Sequence, residues 1–205
     1  MHAQKYKQAS KRTFDRLANA YESDYTGRHA RTLYERVATI GAELTHDTIL
    51  DVGCGKGNLL TLLHNGEARL CGVDLSLEMI RYAQERLGTE VALQVADSEH
   101  LPWAAKYFDL IVCTDSFHHY PNPEQVLQEM RRVMKDHGHV VIGEAWLPEL
   151  FRKLINVSFK FSRSGDVKIY SKDEWSSMLT ATGFALVQWE QRGSSSVILT
   201  AKVSA

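Results

Sequence analysis

The 205-residue chain has almost no excess charge of either sign: 24 Lys and Arg stand against 25 Asp and Glu, a formal net charge of −1. Neither that balance nor any long run of like charge offers the positive surface that nucleic acid requires, so no nucleic-acid partner is expected. Apolar runs long enough for a membrane span are missing as well. Met1 to Lys7 is polar and leads into no apolar stretch, which speaks against a secretory signal. Cysteine is scarce. Cys54, Cys71 and Cys113 are odd in number, far apart, and set in or beside apolar strand patterns. They are expected to be reduced core residues of a cytoplasmic protein, neither a disulfide frame nor a metal site. Internal repeats and low-complexity tracts are absent too, and the length suits one domain with a real core.

What is present is organised around residues 48–60, Thr-Ile-Leu-Asp-Val-Gly-Cys-Gly-Lys-Gly-Asn-Leu-Leu. Ile49, Leu50 and Val52 read as a buried strand, and Asn58 to Leu63 as an apolar helix. Between them Gly53, Gly55 and Gly57 alternate, where a tight turn brings bare backbone against a ligand at a helix start. A nicotinamide dinucleotide fingerprint needs G-x-G-x-x-G, and this spacing is G-x-G-x-G, directly after Asp51. An aspartate at the mouth of the loop suits a cationic ligand better than a pyrophosphate.

Two further strands end in acids at equal intervals. Asp74 closes 69–74, Asp97 follows 91–96, and each lies 23 residues after the acid before it. In a parallel sheet with right-handed crossovers, Asp51, Asp74 and Asp97 share one edge, where α/β proteins bind ligands. An acid ending the second strand can accept hydrogen bonds from a ribose diol. Ser76 is expected to cap the next helix, whose apolar positions include Met79, and Gly88 to end it.

A fourth strand over 107–113 runs out into Thr114-Asp115-Ser116-Phe117-His118-His119-Tyr120. Asn122-Pro123 starts a helix with Asn122 as its cap, Asp136-His137-Gly138 stops it, and a fifth strand covers 139–144. Ser171 to Glu174 is a capping box that opens a last helix. Strands over 184–189 and 196–201 are joined by a short loop and therefore run antiparallel. N-terminal to the glycine turn, Phe14, Leu17, Ala18 and Tyr21 share one helical face, with a break expected at Thr26-Gly27. That face serves equally as a packed side of the domain or as a cover over the cleft, with Tyr21 and Tyr25 inside. The expected architecture is a three-layer, Rossmann-like α/β fold. Its seven-stranded, mostly parallel sheet ends in a C-terminal antiparallel pair, with helices on both faces. Residues 1–46 form a helical lid, 47–144 a cofactor-binding core, 145–170 a substrate-side insertion, and 171–205 the last helix and hairpin.

The run Asp51 to Gly57, Asp74, Ala96-Asp97-Ser98, the following Leu101-Pro102, and Phe108-Asp109 at strand four together resemble the class I S-adenosylmethionine-dependent methyltransferases. The likeness covers 48–144. It is nearest to the small-molecule subgroup typified by the C-methyltransferases of ubiquinone and menaquinone biosynthesis. The resemblance implies S-adenosyl-L-methionine as cofactor. Backbone at Gly53 and Gly55, with Asp51 nearby, would meet its methionine part, together with the backbone at Thr114. Asp74 would hold the ribose, Leu75 and Met79 would flank the adenine, and Asp97 with Ser98 would receive the adenine amino group. Tyr21, Tyr25 and Phe117 could turn ring faces to the sulfonium. The reaction would be in-line methyl transfer to a small-molecule acceptor. A protein that binds the cofactor or its demethylated product without catalysis, in a regulatory role, fits the same residues.

His118 and His119 sit at the cleft mouth with imidazoles suited to act as a base. Adjacent residues seldom point to one place, so at most one of them is expected to be catalytic, and a purely pocket-lining role is the more ordinary reading. No metal is expected, because no further His, Asp or Cys follows the pair at ligand spacing. The acceptor, the atom methylated and the oligomeric state are not legible in the chain.

Overall fold

A computed structural model of the chain describes residues 2–18, 25–44 and 46–204. Among them, seven strands form one sheet: β1 (Thr48–Val52), β2 (Arg69–Asp74), β3 (Ala92–Val95), β4 (Phe108–Thr114), β5 (Met134–Ala145), β6 (Phe184–Arg192) and β7 (Ser196–Val203). Their spatial order is β3-β2-β1-β4-β5-β7-β6. All pairings from β3 to β5 are parallel, and β7 is antiparallel to both of its neighbours. The three-layer, mostly parallel sheet with an antiparallel C-terminal pair is thus as expected.

The helices are α1 (His2–Leu17), α2 (Tyr25–Glu43), α3 (Asn58–Leu63), α4 (Leu77–Leu87), α5 (Pro123–Val133), α6 (Glu149–Phe159) and α7 (Lys172–Ala181). Period-two alternation along the central strands sorts side chains between two cores. Leu50, Val52, Ile111, Cys113, Val140 and Ile142 face one side, where α5 and α7 supply Val126, Met130, Trp175 and Leu179. Ile49, Leu110, Val112 and Val141 face the other, against Leu33 and Val37 of α2 and Leu59, Leu60 and Leu63 of α3. Burial on both faces is why these strands read as continuous apolar runs. Cys54, Cys71 and Cys113 are buried free thiols, as the sequence suggested.

Ser76 caps α4 through its Oγ, 3.2 Å from the Met79 amide, and Ser171 and Glu174 close the capping box of α7. Four local expectations are corrected. Thr26 and Gly27 lie inside α2, which already runs from Tyr25. Strand five starts at Met134, since α5 passes straight into an extended segment and Asp136 to Gly138 do not separate the two. Asn122 precedes α5 without capping it; its amide nitrogen instead lies 3.1 Å from both carboxylate oxygens of Glu99. Phe117 has no exposed surface and its ring packs on Trp175, Tyr120 and Tyr170 in the core. Tyr21 lies outside the described residues, and so does the side chain of Tyr25.

Candidate active site

The carboxyl ends of β1, β2 and β4 open on one edge of the sheet, as parallel crossovers require. At the end of β1 the chain turns away, and the amides of Gly53 and Cys54 donate to the Val73 carbonyl at 2.8 and 3.0 Å. Gly53 has φ +78°, and a Cβ there would stand 2.0 Å from Ser116 Oγ and 2.9 Å from the Tyr120 hydroxyl. Gly55, at φ +52°, is different: a Cβ on it would meet nothing within 4 Å. One glycine is demanded by packing. The other faces open space.

The Gly55 amide donates to Asp74 Oδ2 at 3.0 Å, and the Ser76 amide donates to Oδ1 at 2.8 Å. Asp74 is therefore fixed by the loops on either side while keeping further lone pairs to offer. Asp51 is 2 % exposed, and burial with the nearby Asp74 charge pushes its carboxyl up to about 8. Burial likewise raises Asp74, against the two amides that favour its charge. Thr114, at the end of β4, has a buried hydroxyl without a protein partner.

Two small cavities share this edge. One, of about 60 Å³, is lined by Gly53, Asp74, Leu75, Asp97, Ser98 and His119, with Lys7 and Phe14 of α1 as its outer wall. The other, of about 40 Å³, is lined by Gly55, Met79 and Thr114 with Tyr34 and again Phe14. The structure thus brings the predicted Gly53, Gly55, Asp74, Leu75, Met79, Asp97, Ser98, Thr114 and His119 around one pair of cavities, with Asp51 buried beside them. α1 borders these cavities, with Lys7 Nζ 2.6 Å from Asp97 Oδ2 and 2.7 Å from Glu99 Oε2. Burial works against the Lys7 charge, but its bonds to the two acids outweigh it and raise its pKa. Lys7, Tyr34, Ser116 and Tyr120 were missed by the sequence reading. Only Phe14 carried a signal, its place on the apolar stripe of α1.

His118 and His119 both turn toward the same place, contrary to expectation. They end a single 3₁₀ turn, Phe117–His119, whose tight winding leaves the rings 4.2 Å apart between centroids. His118 Nδ1 lies 2.8 Å from Glu144 Oε2. Although burial opposes it, the Glu144 carboxylate holds the His118 imidazole up to about 9. Burial and the His118 charge push His119 down to about 4. Glu144, at the end of β5, also accepts the amides of Ser116 and Phe117, so it fixes the whole turn.

The insertion supplies a further acid. The amide of Val167 donates to the His118 carbonyl at 2.8 Å, which lays 165–167 along the histidine turn. Asp166 Oδ1 then lies 3.9 Å from His118 Nε2 and 3.7 Å from His119 Nδ1. Forty-seven residues separate Asp166 from His119, which is why spacing in sequence gave no hint of it.

With this geometry in place, the chain can be set beside known proteins. The sequence matches the family described as "Methyltransferase domain" over residues 50–142. It is 31 % identical to the demethylmenaquinone methyltransferase of Thermotoga maritima over 153 residues, 72 % of this chain and 66 % of that protein. Residues 50–142 of the chain are those of a methyltransferase domain. The malonyl-[acyl-carrier protein] O-methyltransferase of Geobacter sulfurreducens is 33 % identical over 68 % of this chain and 56 % of its own length. The chain spans about half the length of most of the curated relatives it matches. Among solved structures, a SAM-dependent methyltransferase from Aquifex aeolicus superposes with a TM-score of 0.61 at 23 % identity, covering 75 % of this chain and 80 % of that one. At that identity the likeness speaks for the fold alone. S-adenosylmethionine is the cofactor of the family.

Proposed function

We propose that this methyltransferase chain moves the methyl group of S-adenosylmethionine to a small-molecule acceptor. The observation that carries the reading is the contrast between the two glycines: Gly53 is closed against Ser116 and Tyr120, while Gly55 faces space that no protein atom fills. The residues around that space suit the cofactor. Gly53, Gly55 and the orphan Thr114 hydroxyl would hold the methionine part, and Asp51 would balance its positive charge. Asp74 would take the ribose hydroxyls with its remaining lone pairs, Leu75 and Met79 would flank the adenine, and Asp97 and Ser98 would meet its amino group.

When bound, the cofactor supplies an activated methyl on sulfur, so the protein's work is alignment and exclusion of water. α1 acts as the lid, since Lys7 and Phe14 wall the cavities. His118 and His119 stand on the acceptor side, His119 lining the cavity directly. The insertion over 145–170 borders the same side through Asp166 and contributes to acceptor choice. Near-zero net charge favours a small molecule over nucleic acid, and three buried free thiols suit a reducing compartment such as the cytoplasm.

Calorimetric titration with S-adenosylmethionine, followed by an acceptor screen for release of S-adenosylhomocysteine, tests this. Saturable binding, weakened at least tenfold by Asp74→Ala, is expected. No binding, or tight binding of NAD instead, would overturn the reading.

A further inference from the structure

Three side chains from two separate segments bring potential ligand atoms together beside the cavity that His119 lines. His118 engages Glu144 through Nδ1, which leaves Nε2 on the side of Asp166. The imidazole of His119 donates to the backbone of Gly165, while its Nδ1 is buried without a hydrogen-bond partner. The bond to Gly165 therefore comes from Nε2. The orphan Nδ1 has almost no solvent-exposed surface. Asp166 is anchored through its other oxygen, Oδ2, by the hydroxyls of Ser162 and Ser164. Its Oδ1 is turned to both imidazoles.

The two distances, 3.9 and 3.7 Å, are too long for hydrogen bonds and too short to be indifferent. At His119 the unprotonated Nδ1 faces the Asp166 carboxylate, an unfavourable pairing that a bound cation would relieve, and at His118 an entering ion would displace the Nε2 proton. One ligand atom from each of His118, His119 and Asp166 lies within 4.8 Å of the other two. An ion held ~2.0–2.1 Å from each donor would draw them to separations of roughly 3.3 Å, an adjustment of about half an ångström for the two measured pairs. Each donor also has its own outer partner: Glu144 on His118, the Gly165 backbone on His119, the two serines on Asp166. Carboxylates and carbonyls in that outer position fix the tautomer of a metal-bound histidine.

We propose that His118, His119 and Asp166 form a binding site for one divalent transition-metal ion, of the zinc class that two imidazoles and a carboxylate select. The site sits where His119 lines the cavity, so the ion would favour acceptors presenting an anionic oxygen or a thiolate. The proposal concerns the pair placed above on the acceptor side, but its test needs neither cofactor nor acceptor.

The untagged full chain, stripped with a chelator, is titrated with Zn²⁺ against a competing indicator and with Co²⁺ followed by its visible absorption. One ion per chain is expected. Asp166→Asn and His119→Gln should each weaken binding at least tenfold, and Glu144→Gln, a positioning change, on the order of 10–100-fold. His64→Ala, which alters an exposed histidine paired with Glu90, should leave it unchanged. Circular dichroism checks the fold of each variant. If one does not fold, X-ray absorption of the zinc-loaded wild type decides, with two imidazole ligands expected. Binding of less than one ion, equal affinity in the folded variants, or a spectrum without two imidazoles would overturn the proposal. S-adenosylmethionine titration of the metal-free chain runs beside these measurements, so a failed metal site and a failed cofactor reading give different results.

Discussion

Lys7 and Asp97 meet across ninety residues of sequence, 2.6 Å apart, and the meeting ties the N-terminal helix to the mouth of the cofactor cleft. The same ammonium reaches Glu99 at 2.7 Å, so one cation neutralises two acids that would otherwise repel. One hydroxyl adds to the tie: Ser76 Oγ, at the start of α4, donates to Asp15 Oδ1 at 2.5 Å.

Phe14 walls both cavities and Lys7 the larger of them, so α1 stands in the path of a nucleoside-sized ligand. Lys7→Ala should therefore speed both association and dissociation of S-adenosylmethionine several-fold. Stopped-flow fluorescence with the wild type and the variant checks it. Raised salt should carry the wild type toward the variant, since the tie is largely ionic.

Asp51 sets a pH dependence. Burial and the neighbouring Asp74 charge raise its carboxyl to about 8, so at neutral pH it is mostly protonated, whereas a sulfonium favours the carboxylate. Binding of the cation then expels a proton. Affinity should rise as pH increases from 6 to 8 and level off above, by up to tenfold per pH unit. Titration in buffers of different ionisation enthalpy should count close to one proton released, and Asp51→Asn should abolish the release. For folding without cofactor the sign is opposite. A folded pKa above the unfolded value gives stability that is complete below about 4 and is lost as pH rises through about 8.

Two substitutions separate folding from binding within one loop. Gly53→Ala drives a Cβ into Ser116 and should unfold or severely destabilise the domain. Gly55→Ala meets no atom, so its folding cost is the backbone term for a left-handed residue, about 1 kcal/mol. Cofactor affinity should nevertheless fall at least tenfold, because the methyl intrudes on the open space. Thermal melts and calorimetry on the same samples test the contrast.

At the opposite end of the sheet, Asp109 accepts from Lys135 Nζ at 2.8 Å, from Thr48 Oγ1 at 2.7 Å and from the Asp47 and Thr48 amides. Burial alone would raise its carboxyl, but these partners hold it well below the usual carboxylate range. A depressed acid stabilises the fold above about pH 4, and that contribution drains away as pH falls. Asp109→Asn should cost about 3 kcal/mol at pH 7, the scale for breaking a buried ion pair. The gap to wild type should shrink in urea melts below pH 3.

The cofactor edge was legible because its parts are local. A strand, a glycine turn and a helix are written contiguously, and Asp51, Asp74 and Asp97 recur at equal intervals that a parallel crossover brings to one edge. The cluster of His118, His119 and Asp166 was not legible, because its pieces meet only through long-range contacts. Asp166 reaches the histidines by way of a backbone bond from Val167 to His118, and Lys7 reaches Asp97 from another helix. Phe117 was misplaced for a related reason. Its apolar ring beside a polar loop looks like a ligand platform in sequence, but α7 covers it with Trp175, centroids 4.4 Å apart.

The position of β7 has a consequence for synthesis of the chain. β6 pairs in the sheet only with β7, and β7 pairs with β5 along its own length. A nascent chain that has emerged as far as β6 has no neighbour for that strand, and β5 presents a bare edge with Val140, Val141 and Ile142 along it. Vectorial emergence from the ribosome therefore leaves an adhesive strand edge until Ser196–Val203 arrives, and a strand made after β6 completes the sheet from within.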